Sequence, residues 1–173
     1  MLKEVAPKLA RVAIAANPET TPFEYFLQAA KSPAAALSID IIPMPVETAA
    51  DIERSIPDFA AKPNGGLVLP PDSTNILHRD LLIALAARHR LPSVYGYRSF
   101  TEAGGLMSYS TDIPQQNRLV ASLIDRILRG TAPADLPVEA PTKYETAINI
   151  KAAKALGLEI PSALLARADD VIE

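Results

Sequence analysis

The sequence predicts an α/β fold: a Rossmann-like, three-layer lobe with a central, mostly parallel sheet. Residues 1–110 alternate between strand and helix patterns at a spacing of about 25 residues, which is typical of βαβ units. The stretch 67–69 is a continuous apolar run, as expected for a parallel strand covered on both faces. Hydrophobic residues make up 49% of the chain, which indicates a globular core.

Five strands are predicted in this first region from apolar runs that end at turn residues: 11–16, 38–43, 67–69, 93–97 and 106–109. Helices at 23–31, from 49 onward and at 73–89 alternate with the first four strands. A capping box over 21–24 is expected to start the first helix, and Pro57 is expected to bend the second or end it early. In the third helix, Leu77, Leu81, Ala84 and Leu85 are predicted to face inward. The segment 98–105 reads as a loop.

Residues 111–173 form a second predicted unit with a different pattern. Asp112 caps an amphipathic helix that Gly130 ends, and a Pro-rich linker spans 131–141. A strand at 143–148 follows. Asn149 is predicted to cap a helix through Leu156, and a last helix covers 162–171.

Composition excludes several classes of function. The net charge is −3, which argues against a nucleic-acid binder. The absence of cysteine excludes thiolate metal sites and cysteine nucleophiles. No run of 18 apolar residues exists to form a membrane span, and residues 1–11 do not read as a signal peptide. The nucleotide-binding glycine motifs and the Gly-x-Ser-x-Gly motif are missing, so no catalytic site, metal or cofactor is predicted.

Polar residues follow the predicted strands, and in open α/β sheets ligands bind at the carboxyl ends of strands. Asp72, Ser73 and Thr74 follow the third strand, and Asp72 can be read as a helix cap or as a ligand-binding acid. Asn17 follows the first strand and could cap or bind. Tyr97 and Arg98 could form part of an amphipathic ligand wall, or Arg98 could simply be solvated.

The chain resembles the substrate-binding proteins of a bacterial ABC-transporter family. This is a group of two-lobed periplasmic binding proteins, type 1-like, that includes tryptophan- and tyrosine-type amino-acid binders. The resemblance rests on four stretches. These are the opening 2–7 with 11–14 and 17–18, then 104–109, then 127–130 with 133 and 135–137, and the closing run 149–151, 153–158 and 160–161.

The resemblance implies that 1–110 is the C-terminal lobe of a two-lobed protein. It also implies that 111–173 forms a crossover segment returning partly to a first lobe, so that the chain is a fragment. It implies a periplasmic location, an ABC permease as partner and a small amino-acid-like ligand. By the same resemblance, ligand contacts come from Asn17 and Pro18, from Asp72, Ser73 and Thr74, and from Tyr97 and Arg98.

The amphipathic helix, about 114–129, would then lack its natural partner, and homodimerisation through its exposed face is expected. Two other readings stay open. One is a stand-alone sensor or partner-binding domain. The other is an α/β enzyme without a recognisable motif, with Asp72 beside Ser73 or Ser108.

Overall fold

A computed structural model describes all residues, 1–173, as one seven-stranded sheet with nine α-helices around it. The strands are β1 (Arg11–Ala16), β2 (Asp40–Pro45), β3 (Gly65–Leu69), β4 (Ser93–Tyr95), β5 (Met107–Thr111), β6 (Tyr144–Asn149) and β7 (Asp170–Ile172). The helices are α1 (Leu2–Val5), α2 (Phe23–Ala36), α3 (Ala49–Ala60), α4 (Ser73–Leu77), α5 (Arg79–Arg88), α6 (Arg98–Glu102), α7 (Ile113–Leu128), α8 (Ile150–Leu156) and α9 (Ser162–Leu165). None of these helices is long and apolar enough to span a membrane.

The sheet confirms the predicted α/β class and its mostly parallel character. Its strand order is β2-β1-β3-β4-β5-β6-β7. The first five strands run parallel to one another, β6 runs antiparallel to β5, and β7 runs parallel to β6. At the edge, β2 contains Pro43 and Pro45, which a strand tolerates because one side needs no ladder hydrogen bond.

Apolar side chains pack on both faces of the sheet. On one face, alternate strand residues such as Ala13 and Leu67 pack against Ile52 of α3, Leu82 of α5 and Phe100 of α6. The other face is covered in part by α1 and α9, which contribute Leu2, Val5 and Leu164 to two smaller clusters. Helix α2 lies against β1 and β2. This gives the predicted three-layer arrangement.

Three predicted helices and one predicted loop differ from the structure. The first continues to Ala36, past the predicted end at 31, and contains Pro33 within it. The second also continues past Pro57, to Ala60. The third is divided at His78 into α4 and α5, which turns Leu77 outward (77% exposed) and leaves Ala84 exposed as well. The segment predicted as a loop at 98–105 contains α6.

The last predicted helix is mostly wrong, because the chain turns into a strand. Helix α9 ends at Leu165. The Asp169 amide donates to the Thr146 carbonyl at 2.9 Å, and the Asp169 carboxylate accepts from the Thr146 amide at 2.8 Å. These two bonds align β7 with β6. The strands of 111–173 therefore extend the first sheet, while the return of this segment to another lobe stays a prediction.

Helix α7 is attached to the sheet mainly at its beginning. Asp112 is its N-cap, as predicted, and accepts from the Gln115 amide at 2.9 Å. The other carboxylate oxygen of Asp112 accepts from the Lys143 ammonium at 2.8 Å. No residue of α7 is buried.

The Asp112–Lys143 pair should make stability depend on pH. The hydrogen bond from Lys143, followed by that from Gln115, lowers the pKa of Asp112. A lowered pKa contributes stability that is present above the unfolded value of about 3.9 and is lost as the pH falls through the folded value. Asp112→Asn keeps a good N-cap residue but loses the charge. We expect its urea midpoint to lie below that of the wild type at pH 7 and the gap to close in acid.

Asp135→Asn is the matched control for this measurement, because Asp135 is exposed and makes no ion pair. Its difference from the wild type should be small at every pH. A gap for Asp112→Asn that stayed constant into acid would contradict a role for the charge.

Candidate functional site

Three loops meet at the carboxyl edge of the parallel strands. They comprise residues 17–21 after β1, residues 70–75 after β3 and residues 96–99 after β4. Because β1, β3 and β4 are neighbours in the sheet, these loops lie side by side. We call this surface the rim.

The carboxylate of Asp72 lies at the centre of the rim and is 3% exposed. One oxygen, Oδ1, accepts from the Asn75 amide at 2.8 Å, which caps α4 as the sequence predicts. The other, Oδ2, accepts from the hydroxyls of Thr20 at 2.7 Å and Thr21 at 2.5 Å. Asp72 is thus a helix cap and also joins the loop after β3 to the loop after β1. Its predicted contact with a ligand stays a prediction.

Two amide side chains strengthen the same junction. The Asn17 Nδ2 group donates to the Thr74 hydroxyl at 3.0 Å, and the Asn17 Oδ1 atom accepts from the Glu19 amide at 2.8 Å. The buried Asn75 Nδ2 group donates to the Ala15 carbonyl at 3.0 Å and to that of Pro70 at 3.3 Å. The structure therefore brings together Asn17, Asp72 and Thr74, three of the predicted site residues.

The other predicted residues of these two loops are accessible. Pro18 and Ser73 are exposed, and so is Thr20. A solute that contacts this part of the rim would meet these side chains first. The buried Asn17, Asp72 and Thr74 set their positions.

The third loop is packed against the second. The Gly96 amide donates to the Leu69 carbonyl at 2.8 Å. A Cβ atom at Gly96 would lie 2.5 Å from Cδ and 2.6 Å from the backbone nitrogen of Pro71, so only glycine fits there. This close approach fixes the spacing between the two loops.

Tyr97 and Arg98, the last predicted site residues, begin α6. Tyr97 is its N-cap residue and is partly buried. The Arg98 guanidinium donates to Glu102 at 2.8 Å and forms a short ion pair with Asp170 of β7. These carboxylates raise the pKa of Arg98, with the Glu102 hydrogen bond as the main cause. Arg98 therefore holds α6 to the far strand of the sheet, rather than standing free in solvent.

A small cavity of about 160 Å³ lies beside this third loop, between the beginning of α6, the end of β5, the beginning of α7 and the beginning of β6. A larger concavity of about 910 Å³ lies at the opposite edge, near Lys8, Asn64 and Pro92, which precede parallel strands. No group of three histidine, cysteine or acidic side chains could hold a metal ion.

The sequence alone does not reveal Thr20, Thr21 or Asn75 as members of the rim, or Glu145 as part of the small cavity beside it. The local pattern predicts that Thr21 caps α2, but its hydroxyl donates to Asp72 instead, and α2 has no side-chain cap. Glu145 reaches this edge because β6 is antiparallel, which the strand pattern does not indicate.

Loss of the Asp72 charge should loosen the rim. In Asp72→Asn an NH2 group replaces one of the two carboxylate oxygens. The remaining oxygen cannot accept from both the Asn75 amide and the two threonine hydroxyls, so the buried network is broken. We expect the free energy of unfolding to fall by about 1–3 kcal/mol, measured by urea denaturation. Asp58→Asn, at an exposed position on α3 without a side-chain hydrogen bond, should change it little. Equal effects of the two substitutions would contradict the role assigned to Asp72.

Solved structures share this fold. A conserved domain protein from Vibrio cholerae O1 biovar El Tor is 26% identical, with a TM-score of 0.89, and the match covers 98% of this chain and 57% of that one. An ABC domain from Streptococcus pneumoniae in complex with L-Trp is 22% identical, with a TM-score of 0.90, covering 99% of this chain and 58% of that one. A ligand-free, open substrate-binding protein with adhesive properties from Clostridium difficile is 20% identical, with a TM-score of 0.72. The match covers 99% of this chain and 57% of that one.

The chain thus spans little more than half the length of these three structures. No curated protein matches it. A family model, described as ABC transporter substrate binding protein, matches residues 1–172 and confirms the resemblance seen in the sequence. That description is of binding proteins and not of enzymes. Because the match extends over nearly the whole sequence, the chain belongs to the ABC transporter substrate binding protein family.

Proposed function

We propose that this chain is one lobe of the solute-binding component of an ABC-type uptake transporter, and that its rim is one wall of the ligand cleft. The observation that carries the proposal is the Asp72 network. Three donors from two loops converge on one buried carboxylate, and this arrangement holds exposed polar side chains at the sheet edge where α/β folds bind ligands.

The rim suits binding more than chemistry. Both oxygens of Asp72 accept from hydroxyl and amide donors of the protein, so this carboxylate holds the two loops together. A wall that is ordered before the ligand arrives loses less conformational entropy on binding. The proposed activity is therefore reversible capture, with the solute released unchanged.

An amino-acid-like solute is the proposed ligand. The Streptococcus pneumoniae structure with the same fold is a complex with L-Trp. The Ser73 hydroxyl can donate to the carboxylate of such a molecule. The Thr20 hydroxyl, which donates to Asp72, can still accept from its ammonium group, and Pro18 offers apolar contact.

The opposite wall of the cleft is proposed to come from a further lobe, because the similar structures are almost twice as long as this chain. Closure of two lobes around a solute changes the surface that a membrane partner meets. We propose an ABC permease as that partner and a location outside the cytoplasmic membrane, in keeping with the family.

Titration of the 173-residue chain with L-tryptophan, L-tyrosine and L-leucine tests the proposal. One wall alone should bind weakly, with a Kd of about 1 mM or above. Amide NMR shifts should move in residues 17–21 and 70–75. Ser73→Glu should abolish these shifts, whereas Ser162→Glu should not, since Ser162 is the equally exposed first residue of α9 at the opposite edge. Saturation at micromolar concentrations would contradict a one-walled site, and unmoved rim amides would contradict an amino-acid ligand.

Self-association through α7 is a second proposal. Its apolar residues lie on one stripe and stay exposed, with Val120 at 52%, Ile124 at 50% and Leu128 at 81%. Such a stripe is covered when two copies pack face to face.

Sedimentation across concentrations tests this second proposal. We expect the wild type to dimerise and Ile124→Lys to remain monomeric, because a charge in the stripe opposes its burial. Ser122→Lys, on the polar face of α7, should dimerise like the wild type. A clean wild-type monomer at all concentrations would contradict the dimer.

A further inference from the structure

The small cavity beside the third loop has groups of opposite charge on its walls. Arg98 lies at the beginning of α6, and Glu145 lies near the beginning of β6. Between them, Ser110 and Thr111 end β5. The cavity volume is about 160 Å³. Whole ligands usually occupy pockets of about 300–1,000 Å³, so this cavity suits one end of a ligand and not all of it.

Arg98 is held so that part of its guanidinium stays uncommitted. Its Nε group donates to Glu102 at 2.8 Å, and its Nη2 group donates to Asp170. Neither bond uses the Nη1 group. Two ion pairs therefore fix the plane of the guanidinium, while two N–H donors are left for another acceptor. A guanidinium is well matched to a carboxylate.

Glu145 likewise has an uncommitted oxygen. Its Oε1 atom accepts from the Lys143 ammonium at 3.2 Å, but that ammonium lies closer to Asp112, at 2.8 Å. The Glu145 side chain is 23% exposed. Its Oε2 atom makes no hydrogen bond within the protein, so it can accept from an ammonium group in the cavity.

Ser110 contributes a hydroxyl to the wall between the two charged side chains. The residue is 7% exposed and lines the cavity. No side chain or backbone group of the protein bonds to this hydroxyl, so it can donate to a carboxylate in the cavity.

We propose that this cavity binds the head group of an α-amino acid. The ligand carboxylate would lie against the free N–H donors of Arg98 and the Ser110 hydroxyl, and the ligand ammonium would lie against Glu145. Opposite charges on the two walls favour a zwitterion over a simple cation or anion. The ligand side chain then extends out of the cavity along the rim. This inference rests on the proposed solute-binding role and names the place of one part of the solute.

The first test compares L-tryptophan with two analogues that each lack one charged group, using amide NMR shifts on the 173-residue chain. Tryptamine lacks the carboxylate, and indole-3-propionate lacks the ammonium. We expect L-tryptophan to move the amides of residues 98–99 and 110–111, and each analogue to bind about tenfold more weakly or worse. Equal binding of all three compounds would overturn the head-group assignment.

Variants test the two walls separately. Glu145→Gln keeps the size of the side chain and removes its charge, so the Kd for L-tryptophan should rise about tenfold while that for indole-3-propionate stays the same. Glu159→Gln is the control, since Glu159 is exposed at the opposite edge of the sheet. Should Glu145→Gln fold poorly, Ser110→Ala removes one hydroxyl and should weaken both L-tryptophan and indole-3-propionate.

The outcomes distinguish failure of the head-group site from failure of the proposed solute-binding role. If L-tryptophan moves the amides of 17–21 and 70–75 but not those of 110–111, the solute-binding role stands and the head-group site is wrong. If neither Glu145→Gln nor Ser110→Ala changes the Kd for L-tryptophan, the head-group site is again wrong. If L-tryptophan, L-tyrosine and L-leucine all leave the rim unmoved, the proposed function fails and this inference fails with it.

Discussion

The buried carboxylate of Asp72 determines how the candidate site is built, because two loops from different parts of the chain depend on it. Hydroxyls from the first loop and an amide from the second loop share its two oxygens. No cation neutralises the charge, so its burial is compensated by hydrogen bonds alone. The exposed side chains of the rim keep their places because these buried donors are satisfied.

Strands β6 and β7, at one edge of the sheet, help to position the side chains around the small cavity beside the third loop. Arg98 connects the beginning of α6 to Asp170 of β7, and Lys143 pairs with Asp112 and with Glu145. These ion pairs join the ends of β4 and β5 to β6 and β7 of the C-terminal segment. That segment thus does more than extend the sheet: it positions the charged walls of the small cavity beside the third loop.

The strands of residues 1–110 and the caps at Asp72, Asp112 and Asn149 could be predicted because they depend on local sequence. The division of the third helix at His78 and the strand β7 could not, since tertiary contacts decide them. Thr21 shows the difference most clearly. Its local pattern favours a helix cap, but a partner 51 residues away in sequence takes its hydroxyl. The structure brings together Asn17, Asp72 and Thr74 because each of them follows the end of a parallel strand. The sequence does not point to Glu145, because the direction of β6 is not encoded in its local pattern.

The contact of Gly96 with Pro71 has a mechanical consequence. The close approach of Gly96 to Pro71 and the hydrogen bonds of Asp72 connect each of the three rim loops to its neighbour. In the proposed two-lobed receptor, closure would carry a wall of constant shape toward the solute, and selectivity would depend on the chemistry of that fixed surface.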